Sequence, residues 1–178
     1  MSSKGPLGKI QEESKLMERL MLIVPGFSGY KAKEQRREAD RLLRNRLYQR
    51  LQDARNSVQD AYQAATERRL SEPATALDRI MAVFDRVSEL VNHASYGYSG
   101  FFDAVKIEED DLDRMLEFDM KLVDGVNALA DRARALRDAA RGGRYDELKK
   151  AAEELRRALE EFDRNFSNRK SVIEGMEV

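Results

Sequence analysis

The chain has 178 residues, 42% hydrophobic and 37% charged, with three prolines and neither tryptophan nor cysteine. Such charge, alongside abundant Ala, Leu, Glu and Arg, points to a helical bundle or coiled coil rather than a sheet protein. Lys plus Arg (32) nearly cancels Asp plus Glu (33), so no global field draws the chain to nucleic acid or anionic lipid, and the missing cysteines exclude disulfides, thiol nucleophiles and Cys-ligated metals.

Residues 1–8 are small and polar and are expected to be disordered. From Lys9 to Val24 the pattern turns helical, with Ile10, Leu16, Met17, Leu20, Met21, Ile23 and Val24 apolar, until Pro25-Gly26 ends it. This segment reads as a short helix folded back on a bundle or, alternatively, as an amphipathic membrane-surface anchor. Glu12, Glu13 and Glu18 offset Lys9, Lys15 and Arg19, whereas interfacial helices favour a basic polar face. The longest apolar run, Leu20–Val24, is too short to span a bilayer, and no signal-peptide layout precedes it, so a cytoplasmic location is expected.

Tyr30–Leu70 reads as one unbroken helix, roughly 60 Å long at the standard rise. Leu43, Leu47, Leu51, Ala54, Val58, Ala61 and Ala65 alternate at three and four residues, which lays one apolar stripe along it. Residues 30–50 hold eight basic and three acidic side chains, a net charge of +5. Ser71-Glu72-Pro73 breaks the rod, with Ser71 the expected N-cap. A second helix, about 73–95, buries Leu77, Ile80, Met81, Phe84, Val87, Leu90 and Val91 in this reading. The lone His93 near its end lacks the companions of common zinc or di-iron sites and reads as structural.

Residues 96–107 are too apolar for a solvated loop and echo the earlier joint. Gly26-Phe27-Ser28-Gly29-Tyr30 and Gly97-Tyr98-Ser99-Gly100-Phe101 share the pattern Gly-aromatic-Ser-Gly-aromatic. A helix over 108–141 opens on Glu108, Glu109, Asp110, Asp111 and Asp113, which suit the positive end of the helix dipole. Oxygen-only binding of Mg or Ca by the same cluster is the competing reading. The stripe of this helix is Leu112, Met115, Leu116, Leu122, Val123, Val126, Leu129, Ala133 and Leu136, with Asp119 interrupting a core position. Residues 101–125 carry nine acidic and three basic side chains, a net of −6, so they are expected to neutralise the basic half of the long helix. After Gly142-Gly143, a last helix over 144–168 carries Leu148, Ala152, Leu155, Leu159, Phe162 and Phe166, and the rest should fray.

No phosphate-binding loop, dinucleotide fingerprint, zincin, EF-hand or nucleophile-elbow motif occurs. The segments Val24–Lys31 and Gly100–Lys106 resemble segments of a functionally uncharacterised prokaryotic helical family. That resemblance implies a bacterial or archaeal cytosolic protein and carries no site assignment.

The expected fold is all-α, an elongated antiparallel up-down four-helix bundle with one very long helix and a short N-terminal helix. It forms a single domain over 9–168, followed by a frayed 169–178. No catalytic, metal or cofactor site is expected. The expected role is a non-enzymatic interaction or scaffold protein that binds a protein partner or itself. The candidate surface is the aromatic end: Phe27, Tyr30, Tyr96, Tyr98, Phe101 and Phe102; the same rings could instead plug the bundle end. The alternatives are a peripheral membrane protein using residues 9–24, and nucleic-acid binding through the Arg-rich half of the long helix.

Overall fold

The computed structural model describes residues 6–30, 33–94 and 109–174, and these contain five α-helices and no strand. The helices are α1 (Pro6–Ile23), α2 (Lys33–Glu67), α3 (Ser71–His93), α4 (Glu109–Arg141) and α5 (Tyr145–Glu174). The chain divides into two compact units. Unit 1 is Met1–Arg46, Ala94–Lys121 and Asn168–Val178, and unit 2 is Leu47–His93 and Leu122–Ser167. No described helix is long and apolar enough to cross a membrane.

In unit 1, α1 begins earlier than its apolar pattern suggests because Pro6 suits a first helical position, where no N–H is needed. Leu20 and Val24 are buried. The chain then turns: the Phe27 N–H donates to the Val24 carbonyl (3.1 Å), with Pro25 and Gly26 between them. Gly26 has φ +86°, so the turn has the type II pattern its Pro-Gly sequence favours. Gly29, at φ +98°, takes a backbone conformation that favours glycine, while an added Cβ would meet only the flexible tip of Met17, at 2.9 Å.

In unit 2 the predicted stripes hold. Leu47, Leu51, Ala54, Val58, Ala61 and Ala65 of α2 are buried, as are Leu77, Ile80, Phe84, Val87 and Val91 of α3. Leu90, read as core, is exposed instead, since it lies beside the stripe rather than on it. Leu70, not Ser71, caps α3: its carbonyl accepts the Ala74 N–H at 3.1 Å, which leaves Pro73 harmlessly in the first turn. Leu148, Ala152, Leu155, Leu159, Phe162 and Phe166 of α5 are buried, and an added Cβ at Gly125 of α4 would stand 3.4 Å from the Phe162 ring. Surface pairs link Arg55 to Asp85 (2.5 Å), Arg86 to Asp163 (2.6 Å) and Lys149 to Glu72 (3.4 Å).

Both long helices of unit 2 that end in short turns end the same way. At the α2 terminus Leu70 N–H bonds the Ala65 carbonyl and Arg69 N–H bonds the Thr66 carbonyl, each at 2.9 Å. At the α4 terminus Arg144 bonds back to Ala139 (3.1 Å) and Gly143 to Ala140 (3.2 Å). These are Schellman motifs. The left-handed position is Gly143 (φ +70°) in one and Arg69 (φ +59°) in the other. The Arg68 side chain then donates to the carbonyls of Ala140 and, at 2.7 Å, Arg141, a cation on the negative end of α4.

The helix α5 differs from its sequence reading. It continues to Glu174, and the Arg169 side chain is fully buried, so the expected frayed tail is helix through its first turn and a half.

The paired turns make a direct prediction. A side chain at φ > 0 costs about 1–2 kcal/mol unless it is glycine. Gly143→Ala should therefore lower the urea-unfolding free energy by about 1 kcal/mol, while Arg69→Gly should leave it unchanged or raise it by up to about 1 kcal/mol. Losses of equal size at both positions would contradict the assignment.

Candidate functional site: a buried ionic cluster

Within unit 1, three helices each bring a charged residue to a position that their apolar stripes reserve for core. On α2, Arg36 and Asp40 continue the stripe backwards from Leu43, and both are buried. On α4 it is Asp119, at 0% exposure. On α5 the series Leu155, Leu159, Phe162, Phe166 steps next to Arg169, also at 0%. Burying such charges costs several kcal/mol per ion unless each is paired and hydrogen-bonded.

Here the pairing is complete for both carboxylates. Arg169 meets Asp119 side-on, Nε to Oδ1 at 2.9 Å and Nη2 to Oδ2 at 3.2 Å. Its Nη1 reaches Asp40 Oδ1 at 2.6 Å. The second oxygen of Asp40 accepts Arg44 Nε at 2.8 Å, and Asp119 Oδ2 also accepts the Tyr30 hydroxyl. All four carboxylate oxygens thus accept at least one hydrogen bond. Arg36 Nη1 donates to the Tyr30 backbone carbonyl (3.5 Å), and the Phe27 ring meets the Tyr30 ring edge-to-face at 5.3 Å.

The electrostatics follow from this geometry. Burial, and then the Asp119 carboxylate, hold the Tyr30 hydroxyl well above the ordinary tyrosine range, so it remains a donor. Burial alone would weaken the charge on Arg169. The carboxylates of Asp119 and Asp40 outweigh that and keep the guanidinium firmly protonated.

The residues singled out from sequence fare differently. Phe27 and Tyr30 are buried, so they plug the interior of unit 1 rather than present a surface. Tyr96, Tyr98, Phe101 and Phe102 lie outside the described residues, as does the second aromatic joint. His93 is exposed and pairs with Glu89 one turn back (3.0 Å). Of the acidic run, Asp111 pairs with Arg114 at 3.5 Å; Glu108 lies outside the described residues, as do the side chains of Glu109 and Asp110. No group of three or more metal-ligating side chains occurs among the described residues.

Among the described residues, part of the basic half of α2 is met from within α2 itself. Arg41 pairs with Glu38 (2.6 Å) and Arg44 with Asp40 (2.8 Å), each within α2. The acidic side chain that α4 buries, Asp119, is taken by an arginine of α5. No family model, no curated protein and no solved structure matches the chain.

The raised Tyr30 fixes the sign of an alkaline effect. The unfolded chain releases this proton near pH 10 while the folded chain keeps it, so the unfolded state binds fewer protons and stability falls as pH rises beyond about 10. Below that pH the contribution is fully present. Tyr30→Phe should cost about 1.5–3 kcal/mol at pH 8, the usual value of a hydrogen bond to a charged group. It should also flatten the further decline of unfolding free energy above pH 10. Parallel pH profiles for variant and parent would refute the assignment.

Proposed function

We propose that this chain is a non-enzymatic helical scaffold whose outer helix faces meet a protein partner or a second copy. The observation that supports this reading most is the closed state of the buried cluster. A group poised for chemistry needs a vacant coordination or proton site facing a cavity. The carboxylates of Asp40 and Asp119 instead spend every oxygen on the protein itself. Such an arrangement suits holding helices in one register.

The reading includes an up-down-up-down helix order in unit 2. Support comes from the short turns at 68–70 and 142–144, from the Arg55–Asp85 pair, and from a common offset of 77 residues in both α3–α5 bridges. A constant offset is the mark of two helices running the same way. Because the chain lacks cysteine, the order can be tested directly. Arg86→Cys with Asp163→Cys should be joined by a short bis-maleimide linker, and Glu72→Cys with Asp163→Cys should not. A cytoplasmic, reducing setting goes with this reading.

One observation favours a second reading, attachment of α1 to a membrane surface. Leu22 is 84% exposed and Met21 45% exposed, side by side on a helix whose Leu20 is buried, as is Val24 just after its end. Light scattering and vesicle co-sedimentation separate the two. A mass above the 20.5 kDa monomer that grows with concentration, without pelleting on anionic vesicles, is the scaffold result for a second copy. Pelleting that Leu22→Glu abolishes would displace the scaffold reading in favour of the membrane one.

A further inference from the structure

Arg169 is held by groups that are themselves held by something else. Asp40 is anchored through Oδ2 by Arg44 Nε at 2.8 Å, and Asp119 through Oδ2 by the Tyr30 hydroxyl. Their two Oδ1 atoms both face the guanidinium, at 2.6 and 2.9 Å. The acceptor frame is therefore built by α2, α4 and the residue that follows the α1 turn, each carboxylate having one hydrogen-bond donor from outside α5. A planar cation with three N–H edges fits it; a lysine ammonium, a point charge, cannot meet one carboxylate side-on and a second at the same time.

The seated arginine lies near the end of α5, in the part of that continuous helix that belongs to unit 1. Residues up to Ser167 of α5 belong to unit 2, while those from Asn168 onwards belong to unit 1. The division falls just ahead of Arg169. Of the α5 side chains described in unit 1, it is the one that is buried.

We propose that Asp40, Asp119 and Tyr30 form a preorganised receptor for a guanidinium group, and that the last turns of α5 fill it with Arg169 as an intramolecular ligand. The end of α5 is then a latch on unit 1. Its seating orders the three segments that build the frame, and where Arg169 is removed a guanidinium supplied from outside can fill the site.

The test uses the full chain carrying Arg169→Gly, with millimolar ethylguanidinium as the probe and ethylammonium at equal ionic strength as the control. Amide hydrogen exchange in α1 and in the unit 1 parts of α2 and α4 should quicken by about tenfold or more, while unit 2 amides change by less than about twofold. Ethylguanidinium should restore most of the lost protection and ethylammonium should not. Arg169→Lys should lose protection much as Arg169→Gly does. If Arg169→Gly fails to fold alone, the readout becomes helix content by circular dichroism, where recovery with ethylguanidinium alone carries the same meaning. Recovery with neither cation, equal recovery with both, or uniform quickening across both units would overturn the proposal.

Discussion

A guanidinium and two carboxylates removed from water are tolerable only when every charge finds a partner in fixed geometry, because the desolvation cost of several kcal/mol per ion is otherwise uncompensated. In unit 1 that condition is met by Arg169, which joins Asp40 of α2 to Asp119 of α4 while Arg44 and Tyr30 occupy the remaining carboxylate oxygens. The consequence is positional. Leu or Ala stripes with three-four alternation pack almost equally well after a slip of one heptad. An α5 slipped by one heptad would bring Phe162 to the carboxylates and leave them buried without a cation. The cluster contributes specificity more than net stability, since apolar residues of like shape would fill the space at comparable free energy.

Unit 2 achieves order by other means. Its described interior is apolar apart from Ser57 and Ser88, and its cross-helix ion pairs, such as Arg86–Asp163, sit at the surface, where each contributes at most about 1 kcal/mol. Its constraints are the two Schellman turns and Arg68, whose guanidinium takes the final carbonyls of α4. These devices fix helix ends rather than helix centres. The two units therefore divide the problem: buried charge sets register in one, terminal hydrogen bonding sets it in the other.

Much of this was legible in the sequence for a simple reason. Period and punctuation are local, so the apolar stripes of α2, α3, α4 and α5 and the breaks at Pro25-Gly26 and Gly142-Gly143 could be read directly. The break read at 71–73 falls three residues earlier, at 68–70, with 71–73 forming the first turn of α3. Asp119 was visible as a charge at a core position. What could not be read was its partner. Arg169 lies 50 residues from Asp119 and 129 from Asp40, and its place in a polar terminal stretch suggested fraying. A signal was present: the steps from Leu155 through Phe166 land next on residue 169, so the stripe itself pointed to it. The burial of Phe27 and Tyr30 was hidden for a related reason. Aromatics beside glycine look alike whether they face a partner or fill a core, and only the distant Asp119 decides which.

The account rests on Arg169 and Asp119 acting as one unit, and a double-mutant cycle on unfolding free energies tests that most directly. Arg169→Met and Asp119→Leu should each lose about 3–5 kcal/mol, because each strands an opposite charge in the interior. The double variant should lose far less than their sum, leaving a coupling of at least about 2 kcal/mol. Losses that add to within about 0.5 kcal/mol would mean that the two residues do not depend on one another, and the account would fail.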